Sequence, residues 1–219
     1  VAVAQTEYVD NLFLDPYFTE HVFWVSPKKK TREGKTFYRH GPDFYGEDYK
    51  DAEEQFYQLA KHILETYSHL DKTFIFQNWE GDWMLRGEQG KDWEGGDPVP
   101  DDVEVQVAGM IKMFQARQRG VERAREEVTG SLAKVAHAIE FNKLFTVVDG
   151  ERKTMMDLDI PSLVGEVLSH VRVDMVSWSA YDGVWMENLE DFPIGLWKGT
   201  EIMEYYHNVT GYLDQTIQI

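Results

Sequence analysis

Four short apolar segments alternate with longer amphipathic segments along this chain, and this alternation restricts the possible folds more than any other feature. The apolar segments are bounded by polar or loop residues and cover residues 22–25, 73–78, 134–140 and 173–178. They predict buried strands. Apolar residues at helical spacing predict helices over residues 48–70, 102–128, 161–170 and 200–213. Strands that alternate with helices favour an α/β fold with a parallel sheet.

Two architectures contain such units: a doubly wound open sheet and a (β/α)8 TIM barrel. An open nucleotide-binding sheet usually has a Gly-rich turn after a strand, but the chain contains no G-x-G-x-x-G and no Walker motif. Barrels instead place their chemistry in loops after the strands, and the loop after Asn78 is long and rich in Trp, Asp and Gly. The predicted strands begin about 50 residues apart, so eight units need about 400 residues. We therefore expect residues 1–219 to form a single, incomplete barrel domain, with a smaller open α/β domain as the alternative.

The charge balance narrows the choice of partners. The chain has 39 acidic and 22 basic side chains, which give a net charge of −17 at pH 7. This charge repels phosphate backbones and anionic membrane surfaces, whereas a neutral carbohydrate is compatible with it. No apolar run approaches the ~18 residues of a membrane span. We therefore expect a carbohydrate partner, no nucleic acid and no membrane, and the oligomeric state stays open.

The residue types also limit the chemistry. The chain has no Cys, which excludes disulfides, thiolate metal sites and a Cys nucleophile. Its seven His are scattered without a metal-ligand spacing, and no G-x-S-x-G motif of a serine hydrolase occurs. We therefore expect no metal and no cofactor. The start of the sequence at Val1 favours an arbitrary break inside a longer chain, and the alternative is that Ala2-Val3-Ala4 is the end of a signal peptide, which would indicate a secreted protein.

One strand leads directly into a polar, aromatic cluster. Its sequence is Phe76-Gln77-Asn78-Trp79-Glu80-Gly81-Asp82-Trp83. At the carboxyl end of a barrel strand, Glu80 would face a cleft, where desolvation by its Trp neighbours favours the protonated form. Such an acid can protonate a glycosidic oxygen. The alternative is that Glu80 and Asp82 only begin an acidic surface loop.

The other residues of this cluster suit a sugar site. We expect the Asn78 amide to bind a sugar hydroxyl, and Trp79 and Trp83 to offer flat apolar faces to sugar rings. Asp82 is counted among the substrate-binding residues, and the favoured alternative is that it only orients a neighbouring group or caps a turn.

Two later strand ends add candidate site residues. With a period of two, His137 lies on one face of its strand, and Glu140 and Asn142 lie on the other. One set is expected to line the barrel mouth and bind substrate. The alternative is a structural histidine, which is favoured for His137, and a loop-entry glutamate, which is as well supported as a cleft residue for Glu140. Further along, Trp178 and Tyr181 follow the last predicted strand, and for Tyr181 the alternative is a buried ring with a locally bonded hydroxyl.

The segment around Glu80 resembles the fourth-strand end of clan A glycoside hydrolases, which are retaining (β/α)8 enzymes. In that clan an Asn commonly precedes the acid/base Glu directly, whereas here Trp79 separates Asn78 from Glu80. Enzymes of that clan often have an aromatic residue at the end of the sixth strand, and Tyr181 resembles it in residue type and position. The resemblance spans residues 20–182 and implies retaining hydrolysis of β-linked poly- or oligosaccharides with Glu80 as general acid/base. The clan's nucleophile, a Glu that ends the seventh strand, finds no match and is expected outside this chain.

A second class of function stays open: a carbohydrate-binding or interaction domain on a barrel-like scaffold without catalysis. An α/β enzyme of another class is disfavoured because nucleotide motifs are absent. Two structural expectations complete the sequence-based account. The aromatic residues of segment 15–24 are expected in the core, with the lining of a cleft as the alternative. The charged run 117–127 is expected to form a solvated helix face.

Overall fold

The computed structural model describes residues 4–25, 46–86, 103–184, 192–208 and 217–218. Five strands form one sheet with only parallel pairings, in the spatial order β1-β2-β3-β6-β7, and two further strands form a separate antiparallel hairpin. The strands are β1 Glu20–Trp24, β2 Thr73–Gln77, β3 Lys134–Phe141, β4 Phe145–Val148, β5 Glu151–Thr154, β6 Met175–Trp178 and β7 Ile217–Gln218. Apart from the hairpin, neighbours in the sheet follow one another along the chain.

Helices connect these strands. They are α1 Glu7–Leu14, α2 Gly46–Thr66, α3 Gly81–Arg86, α4 Val103–Glu127, α5 Tyr181–Val184 and α6 Phe192–Asn208. Between β5 and β6 the chain forms a 3-10 turn, a π-helix over Leu163–Val167 and a second 3-10 turn. No helix within the described ranges is long and apolar enough to cross a membrane.

The alternation of side chains along the strands gives the sheet two different faces. On the helical face, large residues such as Phe74, Phe76 and Ile139 pack against α2, α4 and the π-helix and form the main core. On the opposite face, which we call the far face, a small cluster contains Ile75, Ala136, Ala138 and Met175.

The predicted parallel α/β organisation is confirmed. All four predicted strands are present within three residues of the predicted ends, and the helices predicted over 48–70 and 102–128 correspond to α2 and α4. The helix predicted over 161–170 is a π-helix followed by a 3-10 turn. The last predicted helix begins earlier, at Phe192, and positions 209–213 lie outside the described residues.

One structural expectation was wrong in part, and one element of the fold was not predicted. The run 117–127 is not simply a solvated face, because Arg117 is only 1% exposed and its guanidinium lies 4.5 Å from the ring centroid of Phe56. Helix α4 packs against both α2 and the sheet, so only part of its circumference meets water. The β4–β5 hairpin was not predicted, although its Asp149-Gly150 turn has positive φ at both residues, as a two-residue hairpin turn requires.

Candidate active site at the carboxyl ends of the strands

Most of the predicted site residues meet at one edge of the sheet. Because β2, β3 and β6 are parallel, their carboxyl ends lie side by side. This edge brings the segment that starts at Asn78 next to the end of β3, although about 60 residues separate them in sequence.

Asn78 fixes the backbone of Glu140. Its Nδ2 donates to the carbonyl oxygen of Glu140 at 2.6 Å, and its Oδ1 accepts from the N–H of Glu140 at 2.9 Å. The side chain thereby continues the hydrogen-bond ladder between β2 and β3 by one step. Asn78 is buried, so the predicted sugar contact is replaced by a positioning role.

Gly81 permits this close approach. A Cβ at this position would clash with the carbonyl oxygen of Glu140 and would lie 2.7 Å from Cδ2 of Leu163 and 2.9 Å from Nδ2 of Asn78. Any larger residue would therefore push the start of α3 away from the end of β3.

Glu80 occupies a strained backbone position at this edge. Its φ is 45°, in the left-handed region that a residue with a Cβ seldom adopts. Such strain is concentrated at functional sites, where the surrounding structure enforces it. Burial raises the pKa of Glu80, and its Oε2 is buried without a hydrogen-bond partner. Both features fit a carboxyl group that is held for a reaction.

Glu140 is the most desolvated unsatisfied acid of the site. It is 2% exposed, and neither carboxyl oxygen has a hydrogen-bond partner of normal geometry. Burial is the largest cause that raises the pKa of Glu140 to about 7; the charges of Asp82 and Glu80 also raise it, and the nearby Ser179 hydroxyl and Glu80 N–H lower it. The group is therefore half protonated near neutral pH.

Asp82 is structural, which corrects its assignment to the substrate site. It is fully buried and accepts from the backbone N–H groups of Asn142 at 2.8 Å, Lys143 at 2.9 Å and Leu163 at 2.7 Å. These bonds tie the start of α3 to the end of β3 and to the π-helix. Burial raises the pKa of Asp82 to about 6, and the three N–H groups only partly offset it.

Asn142 takes part in the same arrangement. Its Oδ1 accepts from the N–H of Asp82 at 3.1 Å, and the side chain is buried. The predicted substrate contact of Asn142 is therefore replaced by a reciprocal bond that fixes Asp82.

Asp182, in the segment that follows β6, also accepts hydrogen bonds from backbone N–H groups that follow β3. Its Oδ2 accepts from the N–H groups of Leu144 at 2.5 Å and Phe145 at 2.7 Å, and its Oδ1 accepts from the indole of Trp178. Together, Asp82 and Asp182 bind four consecutive N–H groups in the segment after β3, which we call the bridging segment 142–145. Sequence reasoning did not find this role, because it depends on residues 37 to 61 positions away.

Three tryptophans lie at the same edge. The ring of Trp79 lies 5.8 Å from Trp24 and 6.5 Å from Trp83, centroid to centroid. Trp24 is 65% exposed and Trp79 is 54% exposed. The expectation that the aromatic residues of segment 15–24 lie in the core is thus wrong for Trp24, which ends β1 on the far face. Trp24 instead fits the alternative that these aromatic residues line a cleft, and the side-chain alternation of β1 places it on the far face.

His137 and Trp178 lie on the helical face, although Trp178 ends β6 at this edge. His137 is fully buried, its Nδ1 lies 3.1 Å from Oε1 of Gln118, and burial holds its pKa well below the usual range. Trp178 is stacked on Phe141 at 6.3 Å. Both were assigned to the substrate site. The strand period showed which residues share a face but not which face the helices cover.

Tyr181 begins α5, directly after β6, and is 72% exposed. The alternative of a buried ring is therefore wrong. Its contact with substrate stays a prediction.

Other possible sites are few in the part of the chain that the structure describes. No cluster of three or more His, Asp or Glu suited to a metal ion occurs there. A groove of about 290 Å³ is lined by Thr154, Met156, Asp157, Glu201, Ile202 and Tyr205, none of which belongs to the carboxyl-end site.

No protein-family model, curated protein or solved structure matches the chain. A proposal about its function therefore depends on the geometry of this site.

Proposed function

We propose that the protein is a retaining glycoside hydrolase that acts on β-linked poly- or oligosaccharides, with Glu80 as a catalytic carboxyl group. One observation carries the proposal: Glu80 and Glu140 come from neighbouring strand ends and are both desolvated, next to exposed tryptophans. Glycoside cleavage requires two carboxyl groups, one of which holds a proton near neutral pH. The sequence-based hypothesis gives Glu80 the acid/base role.

The tryptophans support a carbohydrate substrate. Trp24 and Trp79 are exposed and lie together at this edge, and sugar rings pack their C–H surfaces on such aromatic rings. A neutral polysaccharide also avoids the repulsion that the net charge of −17 exerts on anions.

The strand order supports the finer fold proposal, a (β/α)8 barrel of which these residues form part. Parallel strands that follow the chain order, with helices packed on one face, are the repeating unit of such barrels. The far face would then line the barrel interior. In barrel enzymes the active site lies at the carboxyl ends of the strands, where Glu80 and Glu140 are found.

The test is hydrolysis of a panel of aryl β-glycosides by the full-length protein and its Glu80→Gln variant. The panel contains glucosides, galactosides, mannosides and xylosides. We expect the wild type to cleave at least one member and Glu80→Gln to lose about 100-fold or more of that rate. The exposed Glu166→Gln serves as the matched control. Wild-type rates in Glu80→Gln would refute a catalytic role for this residue.

The exposed tryptophans also favour a second candidate, a carbohydrate-binding domain without catalysis. Isothermal titration calorimetry with β-linked oligosaccharides separates the two. Binding that is lost in Trp79→Ala, persists in Glu80→Gln and is accompanied by no cleavage of the panel supports the binding domain. Trp197→Ala is the matched control, because Trp197 is equally exposed but lies on α6.

A further inference from the structure

We propose that Glu140 is the proton donor of this site and that Glu80 supplies the partner carboxylate, so that this chain contains both catalytic groups. The inference rests on the proposed function and refines it. It reverses the role that sequence reasoning gives to Glu80, and it replaces the expected nucleophile outside the chain.

The position of Glu140 follows from the sheet register. Gln77 of β2 pairs with Ala138 of β3, so Glu140, two residues later, lies level with the segment just after β2. Ala136 and Ala138 point to the far face, and the period of two places the Glu140 side chain there as well. The backbone N–H and the carbonyl oxygen of Glu140 are both hydrogen-bonded to the side-chain amide of Asn78. Glu140 is therefore fixed next to Glu80 on the face that carries Trp24.

Glu140 does not contribute to the fold in the way that its acidic neighbours do. Asp82 accepts three backbone N–H groups and Asp182 accepts two. Glu140 accepts none of normal geometry, although its side chain is also buried. Burial of an unsatisfied carboxyl group destabilises a protein, and such groups are concentrated at functional sites.

The difference in surroundings decides which group holds the proton. Glu140 is buried, and the negative charges that act on it come from Glu80 and Asp82. Glu80 is more accessible to water, so its ionised form is less disfavoured. The pair titrates as a unit, and at neutral pH one proton resides mainly on Glu140.

The reaction then proceeds in two steps. Glu140 gives its proton to the glycosidic oxygen while the bond from that oxygen to the anomeric carbon breaks, and the electron pair stays on the oxygen. The Glu80 carboxylate forms an ester bond with the anomeric carbon. In the second step water attacks that carbon, its proton passes to Glu140, and the ester electron pair returns to Glu80.

The experiment compares Glu140→Gln and Glu80→Gln of the full-length protein on aryl β-glycosides with good and poor leaving groups, without and with azide. A variant without its proton donor is expected to lose about 10²–10⁴-fold in rate on a poor leaving group and far less on 2,4-dinitrophenyl glycosides. With azide it yields the β-glycosyl azide. A variant without its nucleophile is slow on both and yields the α-glycosyl azide. We expect Glu140→Gln to show the first pattern and Glu80→Gln the second.

The outcomes separate the two proposals. If the wild type cleaves no member of the panel, the proposed function fails and the inference falls with it. If the wild type is active but Glu140→Gln keeps its rate, or if the two patterns are exchanged, the inference alone is overturned. A ¹³C NMR titration of the wild-type Glu carboxyl groups needs no variant to be active. Titration of Glu140 near its ordinary pKa of 4.5 would also overturn the inference.

Discussion

Two pairs of acidic residues share one edge of this sheet, and their surroundings are opposite. The carboxyl groups of Asp82 and Asp182 accept the four consecutive N–H groups of the bridging segment 142–145. The buried oxygens of Glu80 and Glu140 lack partners. A buried acid whose oxygens are all bonded to the backbone stabilises the fold, whereas one that is left unsatisfied is available for chemistry. Burial alone thus does not distinguish the two classes.

The difference begins with side-chain length and place. Asp82 and Asp182 lie in the first turns of α3 and α5, each directly after a strand. From there a short side chain reaches the backbone of the next segment. Glu80 lies in the strained turn before α3, and Glu140 lies at the end of β3 on the far face. Their buried oxygens reach no backbone donor of normal geometry.

The largest expected effect is on Asp82. Asp82→Ala leaves the N–H groups of Asn142, Lys143 and Leu163 buried without an acceptor, so we expect a loss of about 3–5 kcal/mol in the free energy of unfolding. Urea denaturation measures it. Asp71→Ala is the control, because Asp71 is exposed and forms only a surface ion pair. A loss below about 1 kcal/mol would contradict the claim that Asp82 stabilises the fold through these hydrogen bonds.

Asp182 should behave in the same way with a smaller effect. Asp182→Ala removes two backbone bonds and the indole bond of Trp178, and we expect a loss of about 2–3 kcal/mol. Amide hydrogen exchange sharpens the comparison. It should accelerate at Leu144 and Phe145 in this variant, and at Asn142 and Lys143 in Asp82→Ala. Uniform acceleration in both variants would argue against two separate anchoring points.

The backbone strain at Glu80 gives the smallest effect. Glycine adopts a φ of 45° without strain, so Glu80→Gly should be more stable than Glu80→Ala by about 1 kcal/mol. Thermal denaturation of the two variants measures this difference. A more stable alanine variant would show that the left-handed conformation is not enforced by the surrounding fold.

The sequence predicted the elements better than the site. The apolar composition of segment 134–140 identified β3, the period of two placed Glu140 and His137 on opposite faces, and both features are confirmed. It did not show that α2 and α4 cover the face of His137, since that depends on packing between distant segments.

The roles of single polar residues were hardest to predict. Asn and Asp side chains occur both in substrate sites and in hydrogen bonds that anchor the backbone, so the residue types of Asn78 and Asp82 do not decide their roles. Only their contacts with Glu140 and the bridging segment decide between the two. Such contacts join segments about 60 residues apart, which a local pattern does not encode.

The most direct test of the difference between the backbone-bonded aspartates and the unsatisfied glutamates is the free energy of unfolding of Glu140→Gln. It is measured relative to the wild type between pH 4 and pH 8. The folded state raises the pKa of Glu140 from 4.5 to about 7. Its contribution to stability is therefore fully present below pH 4.5 and is lost as the pH rises through 7. A neutral amide avoids this loss. We predict similar stabilities at pH 4 and a variant that is more stable by about 3 kcal/mol at pH 8. A variant less stable than the wild type at pH 8 would place Glu140 with Asp82 among the structural acids and would contradict the account.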